Sequence, residues 1–317
     1  MSAAIETFGL AKRYRKVEAL KNLHMTVPAN TVCGFLGPNG AGKTTTMRIL
    51  MGLSRPTAGS AKILGSLIDS DGLAVRSRVG YLSQDPAFYP RFRVHSVLRF
   101  AARRYLAGSR REIESRVEET LEQIGLTERA GRRVKALSGG ERQRLGIGQA
   151  VIGRPDLLIL DEPSVGLDPE GRFQVLSLIE SLRDEATIFY SSHILDDVQR
   201  IADHVVILDR GETIAQGPME QFLGSGARYR IVVEGADGSV PESLLSLPWV
   251  TDVTGSGNGA WEVAVSEQET AERELLPVLA QTYGAGIKEL RPLVRSLEAT
   301  YVAAVGADGT EEADDDR

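Results

Sequence analysis

The feature that most constrains the fold of this chain is a glycine-rich run between an apolar stretch and a helical pattern. The apolar stretch Val32–Leu36 leads directly into residues 37–44, GPNGAGKT, and Thr45 opens a helical segment. This order predicts a buried strand, a tight loop and a helix that begins at the loop. A strand that feeds a helix in this way is typical of an α/β architecture with a parallel sheet.

The composition of the loop indicates that it binds phosphate. Glycines allow backbone N–H groups to surround phosphate oxygens, and the helix N-terminus adds the positive end of its dipole. We expect Lys43 to reach the β- and γ-phosphates of a nucleotide and the Thr44 hydroxyl to ligate Mg²⁺. The candidate binding residues are Gly37, Pro38, Asn39, Gly40, Ala41, Gly42, Lys43, Thr44 and Thr45.

Further apolar runs indicate neighbouring strands of the same sheet. They are residues 157–160, 187–190 and 205–208. Continuous apolar runs of this length are typical of strands that are buried on both faces. Because ligands gather at the carboxyl ends of such strands, the polar residues that follow each run are candidates for one site.

A pair of carboxylates, Asp161 and Glu162, follows the run at residues 157–160 directly. An acidic pair at a strand end is weak evidence by itself, but beside a phosphate loop it is the expected second half of a hydrolytic site. We expect Asp161 to hold Mg²⁺ and Glu162 to polarise the attacking water. The two motifs together predict nucleotide hydrolysis.

A second glycine-rich helix start reads Ser138, Gly139, Gly140, Glu141. It is suited to capping a helix and to binding an anion. One nucleotide pocket does not require two such sites, and taken alone this segment is better explained as an ordinary helix cap.

Taken together, these motifs resemble those of the ABC (ATP-binding cassette) ATPases. Residues 138–141 match the signature motif of that family and lie just before the acidic pair, in the family's order. Smaller matches are Gln84 to the Q-loop, Asp168 to the D-loop, His193 to the switch histidine, and Tyr14 to the aromatic residue that stacks on adenine. The resemblance covers roughly residues 3–225.

The resemblance implies a fold. A cassette over residues 1–225 would be a P-loop NTPase with a RecA-like core, an antiparallel β subdomain and a helical subdomain near residues 93–155. Within that insertion, residues 109–124 predict an amphipathic helix whose apolar positions recur at helical spacing. Residues 224–226 resemble a linker, residues 227–305 predict a small α+β domain without a catalytic constellation, and residues 306–317 predict an acidic disordered tail.

The resemblance also implies a mechanism. Two cassettes would pair head to tail, with ATP held by the phosphate loop of one and by Ser138 and Gly140 of the other. Gln84 and His193 would contact the γ-phosphate and Mg²⁺ region, and Asp168 would lie at the seam. The intact set Lys43, Asp161, Glu162 and His193 favours a homodimer with two hydrolytic sites, in which ATP binding closes the pair and hydrolysis opens it.

Four segments resemble those of the single-cassette ATPases of ABC-2 type exporters of drugs, antibiotics, lipids or ions. They are residues 37–52, 192–198 and 211–217, and the ending SLEATYV at residues 296–302. The resemblance implies a separate polytopic membrane subunit that docks near residues 86–97. Phe88, Tyr89 and Phe92 are candidate anchors for it, and an assignment as local core residues is about equally plausible.

Charge and hydropathy limit which partners and locations are expected for the chain. The 317 residues carry a formal net charge of -6, which does not favour nucleic acid as a partner. We expect neither a signal peptide nor a membrane span, so the chain would reach the cytoplasmic face of the cell membrane through its partner. The runner-up is a soluble ABC ATPase without a transporter, and an import ATPase or a non-catalytic binding module are further alternatives.

Overall fold

The computed structural model describes residues 2–68, 75–223, 228–234, 240–257, 259–283, 286–293, 297–298 and 301. The chain divides into two compact units, Met1–Met219 with Tyr301–Arg317, and Glu220–Thr300. The expected linker at 224–226, the acidic tail and most of the 296–302 ending lie outside the described residues. Among the helices that are described, none combines the length and the apolar character needed to cross a membrane.

The strands of the larger unit form two sheets. They are β1 (Ala3–Tyr14), β2 (Val17–Pro28), β3 (Val32–Leu36), β4 (Ala58–Ile63), β5 (Ser66–Leu67), β6 (Val79–Leu82), β7 (Leu157–Leu160), β8 (Thr187–Ser192), β9 (His204–Asp209) and β10 (Glu212–Pro218). One sheet has the order β10-β9-β3-β8-β7-β6, in which only β10 pairs antiparallel. The other, β2-β1-β4-β5, is antiparallel throughout.

The helices of this unit lie between the strands and after the last of them along the chain. They are α1 (Lys43–Leu50), α2 (Val94–Tyr105), α3 (Arg110–Gln123), α4 (Gly139–Val151), α5 (Pro169–Ser181), α6 (Leu195–Ile201) and α7 (Met219–Leu223), with 3-10 turns at Thr127–Arg129 and Val134–Ala136. The last of these helices crosses the boundary between the two units.

The parallel sheet is the buried centre of the larger unit, as its apolar sequence predicts. Every residue of β3, β7 and β8 is buried, and the rings of Phe35 and Phe189 lie 5.0 Å apart across β3 and β8. The predicted apolar runs are confirmed as strands, with β8 continuing to Ser192. That extension carries the polar end of β8 to the same edge as the loop after β3, because Leu36 pairs with Ser192.

In the helical part, an arginine from α3 binds the C-terminal end of α4. The predicted amphipathic helix is confirmed as α3, which starts at a capping box of Ser109 and Glu112 and buries Ile113, Val117 and Leu121. From this helix, Arg116 donates hydrogen bonds to the carbonyls of Val151 and Ile152. Carbonyls at a helix end find no donor within the helix; that of Val151 accepts from the N–H of Arg154, and Arg116 adds a side-chain donor to it and to Ile152.

The smaller unit is an α+β fold in its own right. Its elements run β11 (Arg228–Val233), α8 (Val240–Leu245), β12 (Val250–Gly257), β13 (Ala260–Val265), α9 (Gln268–Tyr283) and β14 (Ile287–Leu293). The sheet order β12-β13-β11-β14 is that of the ferredoxin-like split βαβ motif. Tyr229, Ile231 and Val263 from the strands and Leu275 and Leu279 from α9 form its core.

Candidate functional site

The loop after β3 is shaped by glycines and closed by Lys43. Gly40 and Gly42 adopt φ values of +86° and +113°, which L side chains disfavour. At Gly37, an added Cβ would lie 2.3 Å from the carbonyl oxygen of Leu208. Lys43 is buried at the start of α1, and its Nζ donates hydrogen bonds to the carbonyls of Gly37 at 2.6 Å and Pro38 at 3.1 Å. The loop is therefore a tight backbone cradle with an ammonium group in it.

The ends of β7 and β8 bring further polar groups to this loop. The Asp161 carboxylate accepts hydrogen bonds at Oδ1 from Ser191 at 2.8 Å and from Thr44 at 3.2 Å. Ser191 Oγ also accepts from the backbone N–H of Glu162 at 2.8 Å. One buried serine thus joins both members of the acidic pair to β8, and Thr44 joins Asp161 to α1.

Asp161 has the character of a cation ligand. Burial raises the pKa of its carboxyl above the ordinary value, and the hydrogen bonds from Ser191 and Thr44 oppose that shift. Its second oxygen, Oδ2, is buried without a hydrogen-bond partner. A buried carboxylate oxygen without a partner is costly, and a divalent cation would offset that cost. The residues present therefore fit the Mg²⁺ that the acidic pair predicts.

Glu162 lies between the two basic groups of the site. Its Oε1 is 3.2 Å from Lys43 Nζ, and its Oε2 is 3.0 Å from His193 Nδ1. The residue adopts φ +48°, a left-handed conformation that is uncommon for a side chain with a Cβ. Such strain is retained where the surroundings hold it, and here the contacts to Ser191, Lys43 and His193 hold the carboxylate at the mouth of the loop.

Lys43, Thr44 and Glu162 line one pocket of about 320 Å³, which is within the usual range for a small-molecule site. Its lining is Ala19, Asn39, Gly40, Gly42, Lys43, Thr44, Thr45, Gln84 and Glu162. Gln84 follows β6 and is exposed at the pocket. Most of the loop, Gln84 and the catalytic candidate Glu162 are therefore brought together, as the sequence predicts.

Tyr14 is not part of that lining. It ends β1, the residue is 44% exposed, and its hydroxyl lies 3.3 Å from Ser54 Oγ. The ammonium of Lys12 lies 4.8 Å from the ring centroid, which is a cation–π contact. An exposed ring of this kind has a free area on which a planar group can stack, so its adenine contact stays a prediction.

The signature segment and Asp168 lie apart from the pocket as well, but next to each other. Ser138 caps α4 in a reciprocal box with Glu141, and Arg129 pairs with Glu141 at 2.7 Å. Asp168 caps α5 by accepting from the N–H of Gly171 at 3.1 Å. Gly140 approaches Gly171 closely, since an added Cβ would lie 3.4 Å from the Gly171 Cα. Both motifs are thus helix N-termini on one exposed surface of the chain.

The sequence places Ser191 among the polar residues at a strand end but gives it no specific role, and the structure shows it bonded to both Asp161 and Glu162. We expect Ser191→Ala to leave the Glu162 N–H buried without a partner and to lower the free energy of unfolding by about 1–3 kcal/mol. Urea denaturation followed by circular dichroism measures this. Ser115→Ala, at an exposed serine of α3, is the matched control and should change stability by less than about 0.5 kcal/mol. Equal losses in both variants would contradict the structural role of Ser191.

Comparison with known proteins points to one class. A family model described as ABC transporter matches residues 20–165. The uncharacterised ABC transporter ATP-binding protein YxlF of Bacillus subtilis is 43% identical over 214 residues, covering 67% of this chain and 70% of that protein. The Nod factor export ATP-binding protein I of Cupriavidus metallidurans is 33% identical over 309 residues, covering 96% of this chain and 98% of that protein. The latter similarity extends over both units.

A solved structure gives the same answer for the fold of the larger unit. The structure of CbiO1 from Clostridium perfringens, titled as part of the ABC transporter complex CbiONQ, has a TM-score of 0.64 to this chain at 28% identity. It covers 70% of this chain and 90% of that one.

Proposed function

The chain belongs to the ABC transporter ATP-binding proteins, and on that premise we propose that it hydrolyses ATP to drive a membrane exporter. The observation that carries the hydrolytic part is the convergence of Lys43, Glu162 and His193 at the mouth of the phosphate loop. The exporter part rests on the similarity to a Nod factor export protein over nearly the whole chain, including the smaller unit.

The proposed chemistry uses the contacts of the site directly. Backbone N–H groups of the loop and Lys43 hold the β- and γ-phosphates, and this moves the ammonium away from Glu162. The freed carboxylate then orients a water molecule and accepts its proton as the water oxygen bonds to the γ-phosphorus and the bond to the β-phosphate oxygen breaks. His193 beside Glu162 contacts the γ-phosphate region and keeps the carboxylate aimed at the water.

Thr44, Asp161 and Gln84 would hold Mg²⁺, which when bound neutralises charge on the β- and γ-phosphates. Thr44 and Asp161 support this role by two observations. Asp161 Oδ2 is buried without a hydrogen-bond partner, and Asp161 Oδ1 accepts a hydrogen bond from the Thr44 hydroxyl. Gln84 lines the same pocket as Thr44 and would contribute its amide oxygen.

The functional form in this proposal is a head-to-tail pair of identical chains. Ser138, Gly139 and Gly140 form a helix N-terminus on the surface and do not line the pocket of their own chain. The Ser138 hydroxyl oxygen accepts a hydrogen bond from the backbone N–H of Glu141. The hydroxyl hydrogen is therefore available to a phosphate bound by a second chain. Asp168 beside this segment lies at the proposed seam.

The transport pathway in this proposal is a separate polytopic membrane protein, to which the chain binds at the cytoplasmic membrane surface. The proposed docking patch is the pair Tyr89 and Phe92, whose rings lie 5.1 Å apart with 74% and 45% of each residue exposed. Phe88 beside them is half-buried. Exposed neighbouring aromatic side chains are favoured at protein interfaces, because they remove much apolar area from water.

The test of this function is isolation of the complex. A tagged Glu162→Gln chain, expected to retain bound ATP, would be purified from gently solubilised membranes of its own host and its companions identified by mass spectrometry. A polytopic membrane protein supports the exporter proposal. Recovery of ribosomes, of DNA-associated proteins or of the chain alone from the soluble fraction would reject it in favour of a non-transport ATPase.

The docking patch makes a separate prediction. Tyr89→Ala with Phe92→Ala should reduce co-purification of the membrane subunit by about tenfold or more, because truncated interface anchors cost on the order of 2 kcal/mol each. Quantitative mass spectrometry of the tagged complex measures this, with nucleotide binding unchanged. Leu67→Ala, at a side chain that is 44% exposed on β5, is the control and should leave recovery unaltered. Undiminished recovery of the double variant would place the docking surface elsewhere.

A further inference from the structure

Asp197 is a buried carboxylate that the proposed chemistry does not use. It lies in the first turn of α6, is 1% exposed, and uses both of its oxygens. Ser164 Oγ donates to Oδ2 at 2.6 Å, and Arg172 Nε donates to Oδ1 at 2.5 Å. The Tyr190 hydroxyl donates to its backbone carbonyl at 3.2 Å. A charge this deep is retained only where its partners are well placed.

Each partner of Asp197 belongs to a different segment of the site. Ser164 is in the loop that begins at Glu162, and the two are joined by one turn of chain. Arg172 lies in the first turn of α5, where its N–H bonds to the carbonyl of Asp168. Asp197 itself lies four residues after His193, which directly precedes the N-cap residue of α6. The carboxylate therefore ties together the segments of Glu162, Asp168 and His193.

We propose that Asp197 is a positioning residue that locks these three segments into one unit, so that closure at Asp168 is transmitted to Glu162 and His193. Asp197 contacts neither the pocket nor the phosphate loop, so its effect is on the alignment of the water-activating groups and not on nucleotide binding. This inference rests on the hydrolytic role proposed above for Glu162 and His193.

The chemistry of the contact explains why a carboxylate is suited to the position. An ionised Asp accepts at both oxygens and attracts the guanidinium of Arg172. Asparagine has the same shape, but it presents one acceptor and an NH₂ group that would face the donor of either Ser164 or Arg172. Asp197→Asn therefore breaks one of the two side-chain hydrogen bonds without opening a cavity.

The experiment compares Asp197→Asn with Asp196→Asn in the full-length chain. Asp196 lies in the same turn of α6 but is exposed, so the two substitutions remove the same charge from neighbouring positions. For Asp197→Asn we expect kcat for ATP hydrolysis to fall on the order of 10- to 100-fold, the effect of slight misplacement of reacting groups. The KM for ATP and the Kd for ADP should stay within about threefold of the wild-type values. Asp196→Asn should match the wild type.

A second pair of variants, at Ser164, separates a loss of positioning from a loss of the fold. Ser164→Thr keeps the hydroxyl and should retain turnover, whereas Ser164→Ala should lower kcat in the same direction as Asp197→Asn. Combining Ser164→Ala with Asp197→Asn should cost less than the product of the two single losses, because the two side chains are bonded to each other. The inference is overturned if Asp197→Asn hydrolyses at the wild-type rate. It is equally overturned if ADP affinity and thermal midpoint fall in step with kcat, which would indicate a structural role alone.

The failure of this inference is distinguishable from that of the proposed function. A wild-type chain without ATP turnover, or a Glu162→Gln chain that still turns over, rejects the hydrolytic proposal itself. An active wild type with an inactive Glu162→Gln chain and an unaffected Asp197→Asn chain rejects only the positioning role.

Discussion

Replacing Glu162 with glutamine is expected to lower kcat for ATP hydrolysis on the order of 10²- to 10⁴-fold, the usual contribution of a positioned general base. Glutamine has nearly the same volume and keeps the backbone contact to Ser191, so the fold should be retained. It cannot accept the proton of the attacking water. The loss should therefore appear in kcat, with the affinity for ATP maintained.

The ion pair between Lys43 and Glu162 bears on the expected affinity for ATP. Lys43 Nζ lies 3.2 Å from Glu162 Oε1, so in the nucleotide-free chain the carboxylate competes with phosphate for the ammonium. Glutamine removes that competition, and ATP should bind at least as tightly as to the wild type. Persistent binding without turnover is the state that the isolation experiment requires.

Steady-state phosphate release and equilibrium titration with a fluorescent ATP analogue would measure kcat and the affinity for ATP. Glu180→Gln is the matched control, since Glu180 is exposed near the end of α5 and makes no side-chain bond there. It should hydrolyse ATP at the wild-type rate. Turnover of the Glu162→Gln chain within about tenfold of the wild type would exclude Glu162 as the base.

Replacing Lys43 with alanine is expected to produce the largest loss of nucleotide binding. Removing one partner of a buried, hydrogen-bonded charge pair costs about 2–5 kcal/mol, which is a factor of about 30 to several thousand in Kd. The buried ammonium is the only side-chain cation among the described residues that line the pocket, so no neighbour replaces it. The substitution also leaves Glu162 without its lysine partner.

Isothermal titration with ATP and with ADP would test this, since both nucleotides present a β-phosphate to the loop. Lys288→Ala is the control because Lys288 is exposed in the smaller unit, where it pairs with Glu234 at 3.0 Å. Its nucleotide affinity should equal that of the wild type. A Lys43→Ala chain that binds ATP within about twofold of the wild type would show that the pocket is not the nucleotide site.

Features that depend on consecutive residues could be predicted from the sequence, and features that depend on contacts between distant residues could not. The loop at residues 37–44 could be predicted because its function lies in the backbone of consecutive residues. The strands β3, β7, β8 and β9 could be predicted because burial on both faces leaves an uninterrupted apolar run. The antiparallel sheet β2-β1-β4-β5 was expected only from the resemblance to a family. Repeated register shifts between β1 and β2 disturb the alternation that would mark these strands in a sequence.

By itself, then, the sequence determined the α/β class, the phosphate loop, the acidic pair and the family resemblance, since each is written in adjacent residues. Only the tertiary structure decided that Ser191 bonds both Asp161 and Glu162, and that Asp197 joins Ser164 and Arg172. These bonds connect residues on separate strands and helices, and an isolated serine or aspartate has many bland roles. Which one it performs depends on the strand register and helix packing that bring distant polar atoms within 3 Å, and those are properties of the folded chain.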